Sequence, residues 1–283
     1  TRVDEFITNV QRFDEFVKVD AALPSRLLIY GKPGTGKTML SRYIASRLEY
    51  PLLTVRCDTL ISSLLGQTSK NLRQVFDYVN QQPCVLFLDE FDALAGARGN
   101  ERDIGELQRV VISLLQNIDA ASDNTIIIAS TNHEQLLDPA VWRRFSFRIP
   151  MPLPDQHQRE LIWKSRLKNM LSNEIDLCDL AKKSEGLSGA IIEQVSLDAR
   201  RDAVISGDKK INNHKLYRRL YLAQSLIDGV NLHTYEDEIC WLRSKDKKIF
   251  SIRVLVELYG LSSRVISNVL KESGSNEQKG HTG

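Results

Sequence analysis

The segment Gly31-Lys32-Pro33-Gly34-Thr35-Gly36-Lys37-Thr38 decides how the rest of this chain is read. It fits the pattern G-x-x-x-x-G-K-T, and its flanks matter as much as its letters. Before it, Arg26-Leu27-Leu28-Ile29-Tyr30 is an apolar run of strand length. After it, Met39-Leu40-Ser41-Arg42-Tyr43-Ile44-Ala45 carries a helical pattern. Strand, glycine loop and helix in that order make a phosphate cradle. Gly31, Gly34 and Gly36 allow dihedrals and close approaches that a side chain would block, so backbone N–H groups can wrap a phosphate. Lys37 can reach the β- and γ-phosphates, the Thr38 hydroxyl can ligate Mg2+, and the helix turns its positive end toward the phosphates. Pro33, Thr35 and Met39 complete the run expected to contact a nucleoside triphosphate.

Outward from the loop, four further runs have the length of buried strands: Leu52–Arg56, Val85–Asp89, 125–130 and 145–149. Most lack the alternation of a half-exposed strand. The segments between them suit crossover helices. In 104–118, Leu107, Val110, Val111, Leu114, Leu115 and Ile118 form a 3.6-residue stripe. Alternating strands and helices predict an α/β fold, a parallel sheet sandwiched between helices. Pro150-Met151-Pro152-Leu153-Pro154 interrupts the pattern and predicts a domain boundary. The expected organisation is an α/β core over 1–154, a helical lid over 155–206, a helical extension over 207–272 and an unstructured polar tail over 273–283.

Two further elements belong with the loop. Val85-Leu86-Phe87-Leu88-Asp89-Glu90 is an apolar strand ending in two carboxylates, at the sheet edge where such folds bind ligands. Asp89 is expected to hold Mg2+, directly or through its water. Glu90 is expected to polarise an attacking water, a role worth roughly 10²–10⁴-fold in rate. Ile126-Ile127-Ile128-Ala129-Ser130-Thr131-Asn132 would lie alongside and end at Asn132, whose amide could hold that water.

Net charge is +2, which excludes a strong global field toward nucleic acid or membrane. Residues 207–283 carry 13 Lys and Arg against nine Asp and Glu, and the remainder 25 against 27, so the mild basic excess is C-terminal. Cys57, Cys84, Cys178 and Cys240 are far apart and form no C-x-x-C pair, which argues against zinc and fits a reducing cytoplasm. No apolar run approaches the roughly 18 residues of a membrane span. The chain begins at Thr1 rather than Met, so the lack of a visible leader carries little weight.

Taken together, these motifs resemble the AAA+ ATPase superfamily over residues 26–206. The resemblance names the two strand-loop motifs Walker A and Walker B, the nucleotide ATP and the metal Mg2+. Leu137-Asp138-Pro139-Ala140-Val141-Trp142-Arg143-Arg144-Phe145 is similar to the family's arginine-finger segment. By that likeness Arg143 and Arg144 act on the ATP of a neighbouring copy, so hydrolysis would require a ring, expected as a homohexamer. Gly186-Leu187-Ser188-Gly189-Ala190 resembles the lid signature of the AAA clade proper, whose members mostly remodel proteins. It places Gly189 and Ala190 against the nucleotide, with Ser188 capping the following helix. Leu64-Leu65-Gly66 stands where the family carries its first pore loop, with Leu64 in place of the usual aromatic residue. Arg98–Asp103 stands where a second, polar pore loop could lie.

The segment 252–270 resembles a helix-turn-helix, with Gly260 at the turn and Leu261 and Ile266 locking the helices. The leading expectation is Mg2+-dependent ATP hydrolysis in a cytoplasmic ring, coupled to remodelling, unfolding or translocating a protein substrate, with the target or a partner enzyme recruited by the C-terminal helices or by a segment upstream of Thr1. The alternative is a DNA-acting ATPase that uses the helix-turn-helix.

Overall fold

The computed structural model describes residues 1–62, 65–94 and 101–279, with side chains described outside 60–69, 94–109 and 273–279. It forms two compact units, Thr1–Pro152 and Leu153–Gly283. Leu64 and Arg98–Asn100 lie outside the described residues, and so do the side chains of Leu65, Gly66 and 101–103.

In the first unit, α1 (Arg2–Gln11) and α2 (Phe13–Val17) precede β1 (Arg26–Tyr30), α3 (Lys37–Leu48), β2 (Leu52–Arg56), α4 (Cys57–Ser62) and α5 (Leu65–Gln81). Then come β3 (Val85–Asp89), α6 (Glu101–Ala120), β4 (Ile126–Thr131), α7 (Pro139–Arg144) and β5 (Phe147–Pro150). The five strands pair in parallel in the order β2-β3-β4-β1-β5. Their unbroken apolar runs have a physical cause, because successive side chains enter opposite faces and both faces are covered. Leu28, Leu86, Leu88, Ile127 and Ala129 bury against Leu72 and Phe76 of α5 and Val110, Leu114 and Ile118 of α6. Leu27, Ile29, Val85, Phe87 and Ile128 bury on the other face against Ile44 and Leu48 of α3 and Phe6 of α1. β2, at one edge, is only partly covered.

The described residues of the second unit form helices joined by loops: α8 (Gln156–Leu167), α9 (Leu177–Lys183), α10 (Gly189–Ile205), α11 (Asn213–Ile227), α12 (Tyr235–Lys245), α13 (Ile252–Tyr259) and α14 (Ser263–Lys279), with a one-turn 3-10 helix at Lys168–Met170. Polar residues set the helix starts. Asp155 with Gln158, and Thr234 with Asp237, form reciprocal capping boxes, and Asp176 caps α9. Ser188 stands at the N-cap of α10, but its hydroxyl makes no capping bond, contrary to the expectation. Ser188 is buried, and its backbone oxygen, not its hydroxyl, serves the helix, accepting from Ile192 N at 3.1 Å.

Trp163, Leu180, Ile192, Leu216, Leu220, Leu242, Phe250, Leu255 and Ile266 share one core, so the segments on either side of residue 206 pack together. Trp163 donates Nε1–H to Ser184 Oγ at 3.0 Å, satisfying the indole inside that core. The backbone of α14 remains helical through Lys279, past Ser273 where a tail was expected. Glu, Gln and Lys in that stretch are adequate helix formers.

Candidate functional site

Parallel pairing brings the C-terminal ends of the strands to one edge. Tyr30 lies in register with Thr131, and Arg56 with Asp89. The glycine loop that follows β1 therefore sits beside the tips of β3 and β4, which carry the expected carboxylates and amide.

Within the loop, Gly31, Gly34 and Gly36 all have positive φ, at 146°, 75° and 101°. At Gly31 the constraint is also steric, since a Cβ would stand 2.2 Å from the Met151 carbonyl oxygen. Met151 N donates to Tyr30 O at 2.7 Å, which fixes that close approach. α3 begins at Lys37 behind a left-handed Gly36, and no side chain caps it. Its first-turn N–H groups thus lack the partner that a cap would supply, which is the arrangement that receives an anion. Lys37 is buried and donates Nζ–H to Gly31 O at 2.6 Å and Lys32 O at 2.9 Å. Burial lowers its pKa, opposed by the charges of Asp89, Asp92 and Glu134. Thr35 Oγ1 donates to Lys32 O at 2.9 Å, and Met39 is exposed on the first turn of α3.

Thr38 Oγ1 donates to Asp89 Oδ2 at 3.3 Å, so a hydroxyl and a carboxylate from two elements converge. These are hard oxygen donors of the kind that suits Mg2+, which takes few protein ligands and completes its shell with phosphate and water. The residues fit the metal. Asp89 Oδ1 also accepts from Ser130 Oγ and from Glu90 N. Ser130, at the tip of β4, therefore aims Asp89.

Glu90 sits at φ 55°, a conformation rare for a residue with a Cβ. The chain turns sharply off β3 and leaves the Glu90 carboxylate at the strand tip. Its Oε2 accepts from Arg56 Nη2 at 3.4 Å. Burial, then the Asp58 charge, raise the Glu90 pKa, while Arg56 lowers it. Asn132 follows β4 directly, and its N–H donates to Asp92 Oδ1 at 3.0 Å. Thr131 Oγ1 donates to the same oxygen at 2.9 Å.

The structure thus brings together Gly31, Gly34, Gly36, Lys37, Thr38, Asp89, Glu90 and Asn132. Arg56, Asp58, Asp92 and Ser130 are additions that sequence reading missed. Their one sequence signal is position, at or just past the C-terminal ends of β2, β3 and β4.

The two arginines at the end of α7 differ. Arg144 forms a two-pronged pair with Asp119 of α6, Nε to Oδ1 and Nη2 to Oδ2 both at 2.8 Å, and donates to Ala140 O. Arg143 is exposed and makes no hydrogen bond or ion pair with the described residues. In the second unit, Gly189 and Ala190 form the first turn of α10, Gly189 half-buried and Ala190 exposed.

Residues 27–153 match the family described as the ATPase family associated with various cellular activities (AAA). The chain is 37% identical over 214 residues to the uncharacterized AAA family ATPase y4kL of Sinorhizobium fredii, covering 76% of this chain and 64% of that protein. It is 34% identical over 203 residues to proteasome-activating nucleotidase 1 of Haloferax volcanii, covering 69% of this chain and 50% of that protein. It is 34% identical over 208 residues to the 26S proteasome regulatory subunit S10B homolog B of Arabidopsis thaliana, covering 68% and 52%. The matches thus span less than two thirds of each relative's length. Residues 27–153, with their glycine loop and acidic strand tip, are an ATPase domain of the AAA family.

Proposed function

We propose that this chain binds ATP with Mg2+ at the edge of the parallel sheet and hydrolyses it in a ring of its own copies, expected as a homohexamer. The turnover would drive remodelling of a protein substrate. The observation that carries the chemistry is the convergence of Thr38 and Asp89 at 3.3 Å, with Glu90 next to them and the loop's N–H groups alongside. Thr38 and Asp89 would hold Mg2+, which when bound neutralises charge on the phosphate oxygens. Lys37 would exchange its two carbonyl acceptors for phosphate oxygens, a charge-assisted gain. Glu90 would accept a proton from the attacking water, and the Asn132 amide would hold that water in line.

Arg143, exposed and unpaired among the described residues, is suited to reach the ATP of a neighbouring copy. Such an arginine supplies roughly 10³–10⁵ in rate. Gly189 and Ala190 are assigned to the lid over the nucleotide by their resemblance to the family signature. Leu64, Leu65 and Gly66 are assigned to the substrate pore on the same ground. Protein remodelling is supported by similarity to a proteasome-activating nucleotidase and a proteasome regulatory subunit. Among the described residues no helix is long and apolar enough to cross a membrane.

Steady-state ATPase rate measured against protein concentration tests the ring. The specific rate should climb with concentration and fall in Arg143→Ala. A specific rate that stays flat would refute shared sites. Remodelling is tested by ATP-dependent loss of fluorescence from a folded reporter carrying an unstructured tail. A reporter untouched while ATP is consumed would refute it.

A further inference from the structure

The face of α14 that the second unit leaves outward lies outside the residues assigned to the nucleotide site, yet it is built to a pattern. α13 ends at Tyr259 and α14 begins at Ser263, so a three-residue turn, Gly260-Leu261-Ser262, joins them. Gly260 is left-handed, at φ 66°, and its N–H closes α13 onto Val256 O at 2.9 Å. Ser262 holds the start of α14, its backbone oxygen accepting from Ile266 N at 3.1 Å. Leu255 and Ile266 are fully buried, and Leu261 and Val269 pack against the same core.

α12 and α13 both support α14. A cross-tie fixes this group on α11: Arg218 of α11 pairs with Glu238 of α12 at 2.6 Å, and Tyr259 of α13 donates to the same carboxylate at 2.8 Å. A short glycine turn between two packed helices, backed by a third helix, is the connection found in folds that present a helix to the DNA major groove.

What α14 presents suits that partner. Ser263, Arg264, Val265 and Asn268 are exposed or half-exposed near its N-terminal end. Arg264 makes no hydrogen bond or ion pair with the described residues. Arginine pairs with guanine edges, asparagine with adenine edges, and an exposed aliphatic group meets thymine methyls. The flanks carry complementary charge, since residues 243–272 hold more Lys and Arg than Asp and Glu. Lys247, Lys248 and Arg253 are exposed among them.

We infer that α13 and α14 form a duplex-DNA reader, with Arg264 and Asn268 reading base edges and Lys247, Lys248 and Arg253 neutralising phosphates. This assignment goes beyond the ATPase reading and stands independently of it, because none of these residues belongs to the nucleotide site.

The test uses the full chain and a labelled duplex of about 30 base pairs with a randomised centre, beside the matching single strand. Between about 50 and 200 mM salt, affinity for the duplex should fall at least tenfold as counterion release predicts. Rounds of selection should yield a shared short motif. Arg264→Ala should weaken the selected duplex by roughly 5- to 100-fold and flatten its preference. Lys247→Ala with Lys248→Ala should weaken all duplexes alike and lower the salt slope by about one for each phosphate no longer neutralised. The ATPase rate of Arg264→Ala, measured in parallel, should equal that of the parent, which separates this inference from the nucleotide site. Absence of duplex binding at low salt, equal affinity for the single strand, or an unchanged affinity in Arg264→Ala would each overturn the inference, and would leave the α14 face to a protein partner.

Discussion

Arg56 Nη2 stands 3.4 Å from Glu90 Oε2 while the same guanidinium grips Asp58 at 2.7 Å. The last residue of β2 therefore touches the carboxylate assigned to activate water, and a second carboxylate competes for it. Burial and Asp58 push the Glu90 carboxyl above its ordinary value, and Arg56 pulls it back. A carboxyl with a raised pKa stays protonated to higher pH, and a protonated Glu90 cannot accept a proton. Arg56→Ala should therefore move the acid limb of the kcat–pH profile to higher pH. Asp58→Asn removes the repulsion and frees Arg56 for Glu90, so it should move that limb to lower pH. If both variants moved the limb the same way, Glu90 would not be the titrating base.

Glu90→Gln keeps the shape of the side chain and removes its basicity. ATP binding, followed with a fluorescent analogue, should survive, while turnover should drop by about 10²–10⁴-fold. Lys37→Ala should instead abolish binding. A Glu90→Gln chain that still turned over at near the parent rate would move the base elsewhere.

The contrast at the end of α7 predicts two different losses. Arg143→Ala should leave the melting temperature unchanged and reduce the ATPase rate only at concentrations where copies associate. Arg144→Ala breaks a partly exposed two-pronged pair with Asp119 and should cost about 0.5–1 kcal/mol of stability in a denaturant titration. Asp119→Ala should then cause a similar loss, with little further effect when the two are combined. A ring-dependent rate that collapsed in Arg144→Ala but not in Arg143→Ala would reverse the assignment.

Gly31→Ala addresses the backbone. The added methyl would meet the Met151 carbonyl oxygen at 2.2 Å, at a φ that side chains avoid. Chemical denaturation should report a loss of about 1–3 kcal/mol, with nucleotide binding weakened. An unaltered midpoint would mean that the loop relaxes freely.

Much of the first unit was legible because its strands are buried on both faces and read as unbroken apolar runs. β1, β2 and β3 begin and end where those runs do. The later strands slip. Residues 145–149 read as one run, but the ladder starts at Phe147, which pairs with Leu27. Phe145 instead buries edge-on against Phe91, with ring centres 6.0 Å apart. Apolarity marks burial, and burial does not distinguish a paired residue from one packed in a corner.

The place of β4 beside β1 and β3 was legible from the motifs at their tips, and the ladders bear it out; the places of β2 and β5 were not, because similar apolar runs carry no label for their neighbours. Nor were Arg56 and Asp119 legible as partners of Glu90 and Arg144, since both pairings join residues remote in sequence. Phosphate-loop residues were legible because their spacing is local: one turn of chain must supply every donor. The second unit's helices were visible, but nothing local tells that α10 and α11 are tied across residue 206 by Arg219 and Asp202, which meet at 2.8 Å.

On the role proposed for Glu90, its left-handed backbone sets heat tolerance against turnover. A glycine there would adopt φ 55° freely and relieve strain of roughly 1 kcal/mol, while deleting the carboxylate. Selection of variants for survival of heating alone would thus favour a chain that folds more firmly and, on the role proposed for Glu90, no longer turns over ATP. Glutamate at this tip is therefore not the residue that folding alone would choose.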